Sequence, residues 1–198
     1  MKINIMKKID FKQTVEQMKT CGALYPEPII FKIPDAAAEL REAMEFFIGS
    51  DMVWLPQYEQ VAEWLSNNQG RGLCLYGTNG TGKTVLVQKV IPALLFRFYV
   101  KIVKCFNYYD LNANADFILT RRLICIDDAG LETEGVIYGN KRWIFPEIMD
   151  LAEKRNGVVI FSSNLDGQGF IDKYGVRTFE RIVATTKRIE FNQKSLRK

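Results

Sequence analysis

Eight residues, Gly77-Thr-Asn-Gly-Thr-Gly-Lys-Thr84, have the types and the spacing to hold a chain of phosphates. They fill every fixed position of the pattern G-x-x-x-x-G-K-[ST]. The glycines let the backbone curl until successive N–H groups point at phosphate oxygens. Lys83 can reach the β- and γ-phosphates, and the Thr84 hydroxyl can ligate Mg²⁺. All eight (Gly77, Thr78, Asn79, Gly80, Thr81, Gly82, Lys83 and Thr84) are candidate nucleotide-binding residues. The flanks also fit, with a short apolar strand before the loop and a helix after it whose N-terminus adds its positive dipole end.

A second constellation is Leu123-Ile-Cys-Ile-Asp127-Asp128. An apolar strand ending in two carboxylates places them at the carboxyl edge of a parallel sheet, beside such a loop. Asp127 would hold Mg²⁺, directly or through water, and Asp128 would orient or deprotonate an attacking water. Asp128 is one methylene shorter than the glutamate that many ATPases carry there. Ser162-Ser163-Asn164 closes another apolar run, where Asn164 can hold the lytic water or a γ-phosphate; the plainer reading is an asparagine opening a turn before Asp166-Gly167. Arg177 and Arg181, four apart on a predicted helix, project from one face. They are either surface arginines or groups that stabilise a neighbouring subunit's phosphoryl transfer.

Positioning these groups requires a defined order of elements. Asp35 reads as an N-cap for a helix carrying Ala37, Leu40, Met44 and Phe47/Ile48, and Pro56 as the first residue of another, with Tyr58, Val61, Ala62 and Leu65 on its apolar face. Strands are expected over 71–77, 100–106, 121–128, 157–164 and 187–191, and helices over 83–98, 141–155 and 174–184. Strands alternating with helices imply crossovers and a parallel sheet. Apolar runs in place of strict alternation imply strands covered on both faces. The expected fold is therefore α/β: a P-loop core with a five-stranded parallel sheet and helices on both faces. Residues 1–53 form a separate N-terminal segment, and residues 54–198 the nucleotide-binding domain.

Composition narrows the chemistry. The 198 residues contain no histidine, which removes Ser-His-Asp triads, Cys-His pairs and the common His-containing zinc sites. Cys21, Cys74, Cys105 and Cys125 form no C-x-x-C pair, and the expectation is reduced thiols in a cytoplasmic protein. No apolar run is long enough to span a bilayer, and the N-terminus lacks the apolar core of a signal peptide. Net charge is +4; residues 177–198 hold seven Lys/Arg against two Glu, a net +5, so the other 176 residues net −1. A basic end on a near-neutral body fits either a nucleic-acid contact or a solvated tail. Tyr108 and Tyr109 are either stacking surfaces for bases or core.

Taken together, GTNGTGKT (77–84), LICIDDAGLE (123–132), VIFSSNL (159–165), KYGVRTFERI (173–182) and FNQKSLRK (191–198) resemble the AAA+ ATPases, and within them the DnaC/DnaI-type helicase loaders and their phage-encoded relatives. The resemblance covers roughly residues 54–198. It implies Mg²⁺ binding by Asp127, water activation by Asp128, a sensor role for Asn164, a trans-acting arginine at Arg181 or Arg177, and a second sensor at Arg197. That last position departs from the family, where glycine often precedes Ser-x-Arg; here Gln193-Lys194 precedes Ser195. The resemblance further implies no C-terminal lid domain, ATP and Mg²⁺ as ligands, and a homo-oligomer in the ATP-bound state. Its partners would be a replicative helicase, engaged through residues 1–53, and single-stranded DNA. An IstB-like transposition helper shares nearly every motif, and a small-molecule P-loop kinase is the alternative from another class.

Overall fold

In this computed structural model, residues 10–24, 26–50, 52–137 and 140–195 are described. The chain opens with helices α1 (Phe11–Thr20), α2 (Ala36–Ile48) and α3 (Pro56–Ser66), followed by strand β1 (Gly72–Gly77). A continuous helical run comes next, made of α4 (Lys83–Val85), a π turn (Leu86–Val90) and α5 (Ile91–Tyr99). Strand β2 (Cys105–Asn107), a 3₁₀ turn (Tyr108–Asp110), α6 (Ala115–Ile118) and β3 (Leu123–Asp127) complete the first half. The second half holds a small hairpin of β4 (Gly135–Ile137) and β5 (Asn140–Arg142), then α7 (Ile144–Arg155), β6 (Val158–Ser163), α8 (Gly167–Tyr174), α9 (Val176–Thr185) and β7 (Thr186–Phe191).

Five strands form one parallel sheet in the order β2-β3-β6-β1-β7. Successive side chains point to opposite faces, so the sheet separates two cores. Leu73, Leu75, Cys125, Val158, Ile160 and Ile189 pack under α2, α3 and the α4–α5 run. Cys74, Ile124, Ile126, Val159 and Phe161 pack under α6, α7, α8 and α9. This is the expected parallel sheet with helices on both faces, and it explains why the strands read as apolar runs. The three strand cysteines sit within it as free thiols, and burial pushes the Cys74 and Cys125 thiols far up and Cys105 up to about 12.

The first core also takes in Phe31, Ile33, Ala36, Leu40 and Met44, which lie before position 54. Each such side chain is worth about 1.5–3 kcal/mol when fully buried, alanine less. Residues 26–33 lie against the amino edge of the sheet. Buried Asn68 accepts the Phe31 N–H at 2.9 Å and donates to the carbonyls of Ile29 and Arg71 at 2.9 and 3.2 Å. Arg122 donates to the Glu27 and Asn156 carbonyls, and Asn156 to the Pro26 carbonyl.

Several local expectations shift. Asp35 does stand at the N-cap of α2, but in the left-handed region (φ 48°), and its side chain makes no capping bond; its carbonyl accepts the Ala38 and Glu39 N–H groups instead. The strand expected over 100–106 is confined to Cys105–Asn107. Val100, left-handed at φ 53°, ends α5, and β2 has β3 as its partner on one side only. The helix expected from Lys141 begins at Ile144, because 140–142 pair in the hairpin. The helix expected over 174–184 is divided at Gly175, whose φ of 83° breaks it into α8 and α9.

Candidate nucleotide site

The loop from Gly77 to Gly82 leaves the carboxyl end of β1, and two of its glycines are required by neighbours. Gly77 has φ 116°, and a Cβ there would lie 2.3 Å from the Phe191 carbonyl oxygen of β7. Gly82 has φ 83°, and a Cβ would lie 2.6 Å from the Tyr58 hydroxyl. The loop is fastened at three points. The Thr78 N–H donates to Phe191 O at 2.7 Å, the Thr78 hydroxyl donates to Gln193 O at 2.7 Å, and the Tyr58 hydroxyl donates to Thr81 O at 3.0 Å. Burial pushes the Tyr58 phenol up to about 12. Lys83, only 5% exposed, donates from Nζ to the Gly77 and Thr78 carbonyls at 2.9 and 2.6 Å, so its charge is held within the loop.

Strand β6 lies between β1 and β3, so three strand ends converge on one edge. Asp127 is the last residue of β3 and is 3% exposed. Its Oδ1 accepts from the Ser162 hydroxyl at 2.5 Å and its Oδ2 from Gln88 Nε2 at 2.8 Å. The chain then turns sharply: Asp128 is left-handed at φ 55°, and its N–H donates to the same Ser162 oxygen at 2.9 Å. The next N–H, of Ala129, donates to Ser162 O at 2.8 Å, and the Ser163 hydroxyl donates back to Ala129 O at 2.6 Å. Two adjacent serines of β6 thus fix the direction in which both carboxylates leave the sheet. Beyond them, buried Glu132 accepts from the Gly130 N–H and the Tyr174 hydroxyl, bracing the 128–132 turn against α8. Asn164 is exposed, one residue past the end of β6, between the loop and the carboxylate pair.

The two arginines differ. Arg181 has a side chain only 13% exposed; it pairs with Asp150 and, at 3.1 Å, with Glu153, both on α7. Arg177 is 79% exposed and lies 3.8 Å from Asp150. Lys154, then Arg181 and Arg177, hold the Asp150 carboxyl below its ordinary range. Arg197 falls outside the described residues. Tyr109 is 65% exposed and meets Tyr108 edge-on at 5.3 Å between ring centres.

Asp127, Thr84 and Lys83 form a donor set that suits Mg²⁺ and a triphosphate. Among the described residues, no group of three or more Cys, Asp or Glu side chains could hold a metal by itself. A lone carboxylate with a hydroxyl matches Mg²⁺, which keeps waters and substrate phosphates as its other ligands. Residue pattern alone did not single out Ser162, Gln88, Glu132 or Tyr58. Ser162 had a signal, a hydroxyl closing an otherwise apolar strand. Gln88 had none, because its direction depends on the π turn.

A parallel sheet in this strand order, with a glycine-rich loop after β1 and a carboxylate pair after β3, defines the fold of an AAA+ P-loop nucleotide triphosphatase. Solved structures share this fold. A crystal structure of DnaI aligns over 81% of this chain and 95% of its own, with TM-score 0.56 and 20% identity. The crystal structure of the DnaC helicase loader aligns over 71% and 93%, with TM-score 0.57 and 14% identity. The fold is thus of the DnaC/DnaI type. The family described as Nephrocystin 3, N-terminal, matches residues 51–117, which include the loop but stop short of the carboxylates. No curated protein matches the chain in sequence. Among the described residues, no helix is long and apolar enough to cross a membrane.

Proposed function

We propose that this chain binds ATP with Mg²⁺ at residues 77–84 and hydrolyses it within a homo-oligomer, in a replication role like that of a helicase loader. The observation that carries the reading is the fixed approach of the Asp127–Asp128 pair to the edge where the 77–84 loop leaves the sheet. Lys83 and the loop amides bind the phosphates of the substrate, and Thr84 and Asp127 hold the metal. Bound Mg²⁺ supplies positive charge that offsets the charge developing on the β- and γ-phosphates. Asp128 accepts the proton of the attacking water, and Asn164 orients that water or the γ-phosphate. Arg177 serves a neighbouring subunit's site, supported by its exposure, while Arg181 is engaged by Asp150 and Glu153 of its own chain.

The helicase partner is taken by the N-terminal segment. Support comes from α1, which has no buried residue and presents Phe11 at 80% exposure, whereas α2 is committed to the core. Single-stranded DNA is bound by the basic residues after Arg177, with Tyr109 as a stacking surface.

The test separates binding from chemistry. Asp128→Asn keeps the side chain's shape but cannot take a proton. ATP binding with Mg²⁺ should persist, with hydrolysis down by about two to four decades. Turnover equal to the parent chain's would place the base elsewhere. For DNA, an oligonucleotide titration with a non-hydrolysable ATP analogue at about 50 mM salt should show binding that weakens as salt rises.

A further inference from the structure

Gln88 has no part in the loop motif, yet it touches the metal-binding carboxylate. It lies in the π turn Leu86–Val90, between α4 and α5. Such turns insert an extra residue and redirect side chains, and they are frequent at functional sites. The Gln88 amide nitrogen donates to Asp127 Oδ2 at 2.8 Å and to Asn107 Oδ1 at 3.1 Å. Asn107, at the end of β2, donates from Nδ2 to the Tyr109 hydroxyl at 2.8 Å. Each amide has one donor end and one acceptor end. The Asp127 carboxylate only accepts, so the Gln88 nitrogen must face it, and the second hydrogen of that nitrogen meets the Asn107 oxygen. The Asn107 oxygen thus gives the Gln88 nitrogen a second acceptor, and a flipped Gln88 would set its oxygen against both the carboxylate and that oxygen.

We infer that Gln88 is a positioning residue for the metal-binding carboxylate Asp127, steadied in its working orientation by Asn107. Asp127 is gripped from both sides, by Gln88 on Oδ2 and by Ser162 on Oδ1. A carboxylate so fixed keeps its remaining lone pairs in one direction, and metal affinity depends on that. This inference rests on the assignment of Asp127 to Mg²⁺.

The experiment measures ATP-analogue binding while Mg²⁺ is titrated, beside binding in EDTA and the melting temperature without ligand. Gln88→Leu removes the donor and is one atom shorter. Partners of this kind typically contribute tenfold or more to metal affinity, so its Mg²⁺ midpoint should rise about tenfold, with binding in EDTA and melting unchanged. Asn107→Leu, which keeps the shape of the asparagine and removes the acceptor for Gln88, should raise the midpoint by a smaller factor. A folded Gln88→Leu with the parent midpoint overturns the inference. If Gln88→Leu does not fold, Asn107→Leu decides in the same way. The underlying reading fails separately: a parent chain whose nucleotide binding ignores Mg²⁺ refutes the metal assignment itself.

Discussion

The two edges of the parallel sheet are both lined with polar side chains, and they use them differently. At the amino edge, Arg71 donates to the Val183 and Thr186 carbonyls, Arg122 to Arg155, Asn156 and Glu27, Arg155 to Leu119, and Asn68 serves the 26–33 segment. These side chains end on backbone, satisfying carbonyls at helix ends and in the segment that covers the edge. At the carboxyl edge, Lys83, Thr78, Tyr58 and Ser163 also end on backbone, but a further set of side chains bonds to one another: Ser162 and Gln88 to Asp127, Gln88 to Asn107, Asn107 to Tyr109. Positive φ does not separate the edges, since Gly77, Gly80, Gly82 and Asp128 have it at one and Gln69, Gly70 and Asn156 at the other. Polar groups committed to backbone hold the chain in place, whereas polar side chains that orient each other around a carboxylate prepare a site.

That contrast has consequences in order of size. The largest belongs to Arg177. Strand β6 ends at the carboxyl edge and α9 leads into the amino end of β7, so Arg177, in the first turn of α9, is the arginine nearer the site edge. An arginine acting in trans is worth roughly 10³–10⁵ in rate through the transition state. Arg177→Ala should therefore bind ATP normally and hydrolyse it poorly, and mixing it with Lys83→Ala should restore part of the activity at hybrid interfaces. If mixing restores activity for Arg181→Ala and not for Arg177→Ala in co-assembled subunits, the assignment of the two arginines reverses.

At the other edge, Asn68→Ala strands a buried N–H and removes three hydrogen bonds, which should cost about 2–4 kcal/mol in denaturant unfolding while leaving ATP affinity of the folded chain unchanged. A lowered affinity with full stability would blur the division between the edges. Lys83→Ala is its mirror image: calorimetry should show ATP affinity down by about 10–100-fold, the usual worth of a charged hydrogen-bonding group, with the fold intact. Unchanged affinity would remove the 77–84 loop from the site.

The smallest effect joins the helical layer to the loop. Tyr58→Phe loses the bond to Thr81 O, about 1 kcal/mol. Burial raises the Tyr58 phenol from about 10 to about 12. Its contribution is thus full below pH 10 and is lost as pH rises through 12. Unfolding at pH 8 and pH 11 should show a smaller alkaline loss in Tyr58→Phe than in the parent chain; equal losses would mean that the phenol ionises in the fold as freely as in solution.

Much of this was written in local sequence. The glycine spacing at 77–84, the apolar run ending in Asp127-Asp128 and the alternation of strands with helices are short-range signals, and chemistry and chain geometry act on them at short range too. The five-stranded parallel sheet follows from them. The sequence could not rank Arg177 against Arg181, since both lie on one helix face; the carboxylates that occupy Arg181 come from α7, about thirty residues earlier in the chain. It could not point to Gln88, whose direction is set by a π turn, or show that Phe31, Ile33, Leu40 and Met44 belong to the core, because α2 packs not only on α3 but on the π turn and α5, about fifty residues further along the chain. It placed strand 100–106 by its apolar residues, but only the sheet decided that three residues pair, since β2 has a neighbour on one side alone. Local pattern determined the elements and the glycine-rich loop at 77–84. Contacts between residues far apart in the chain, which no local pattern records, decided which polar groups close the fold and which face the site.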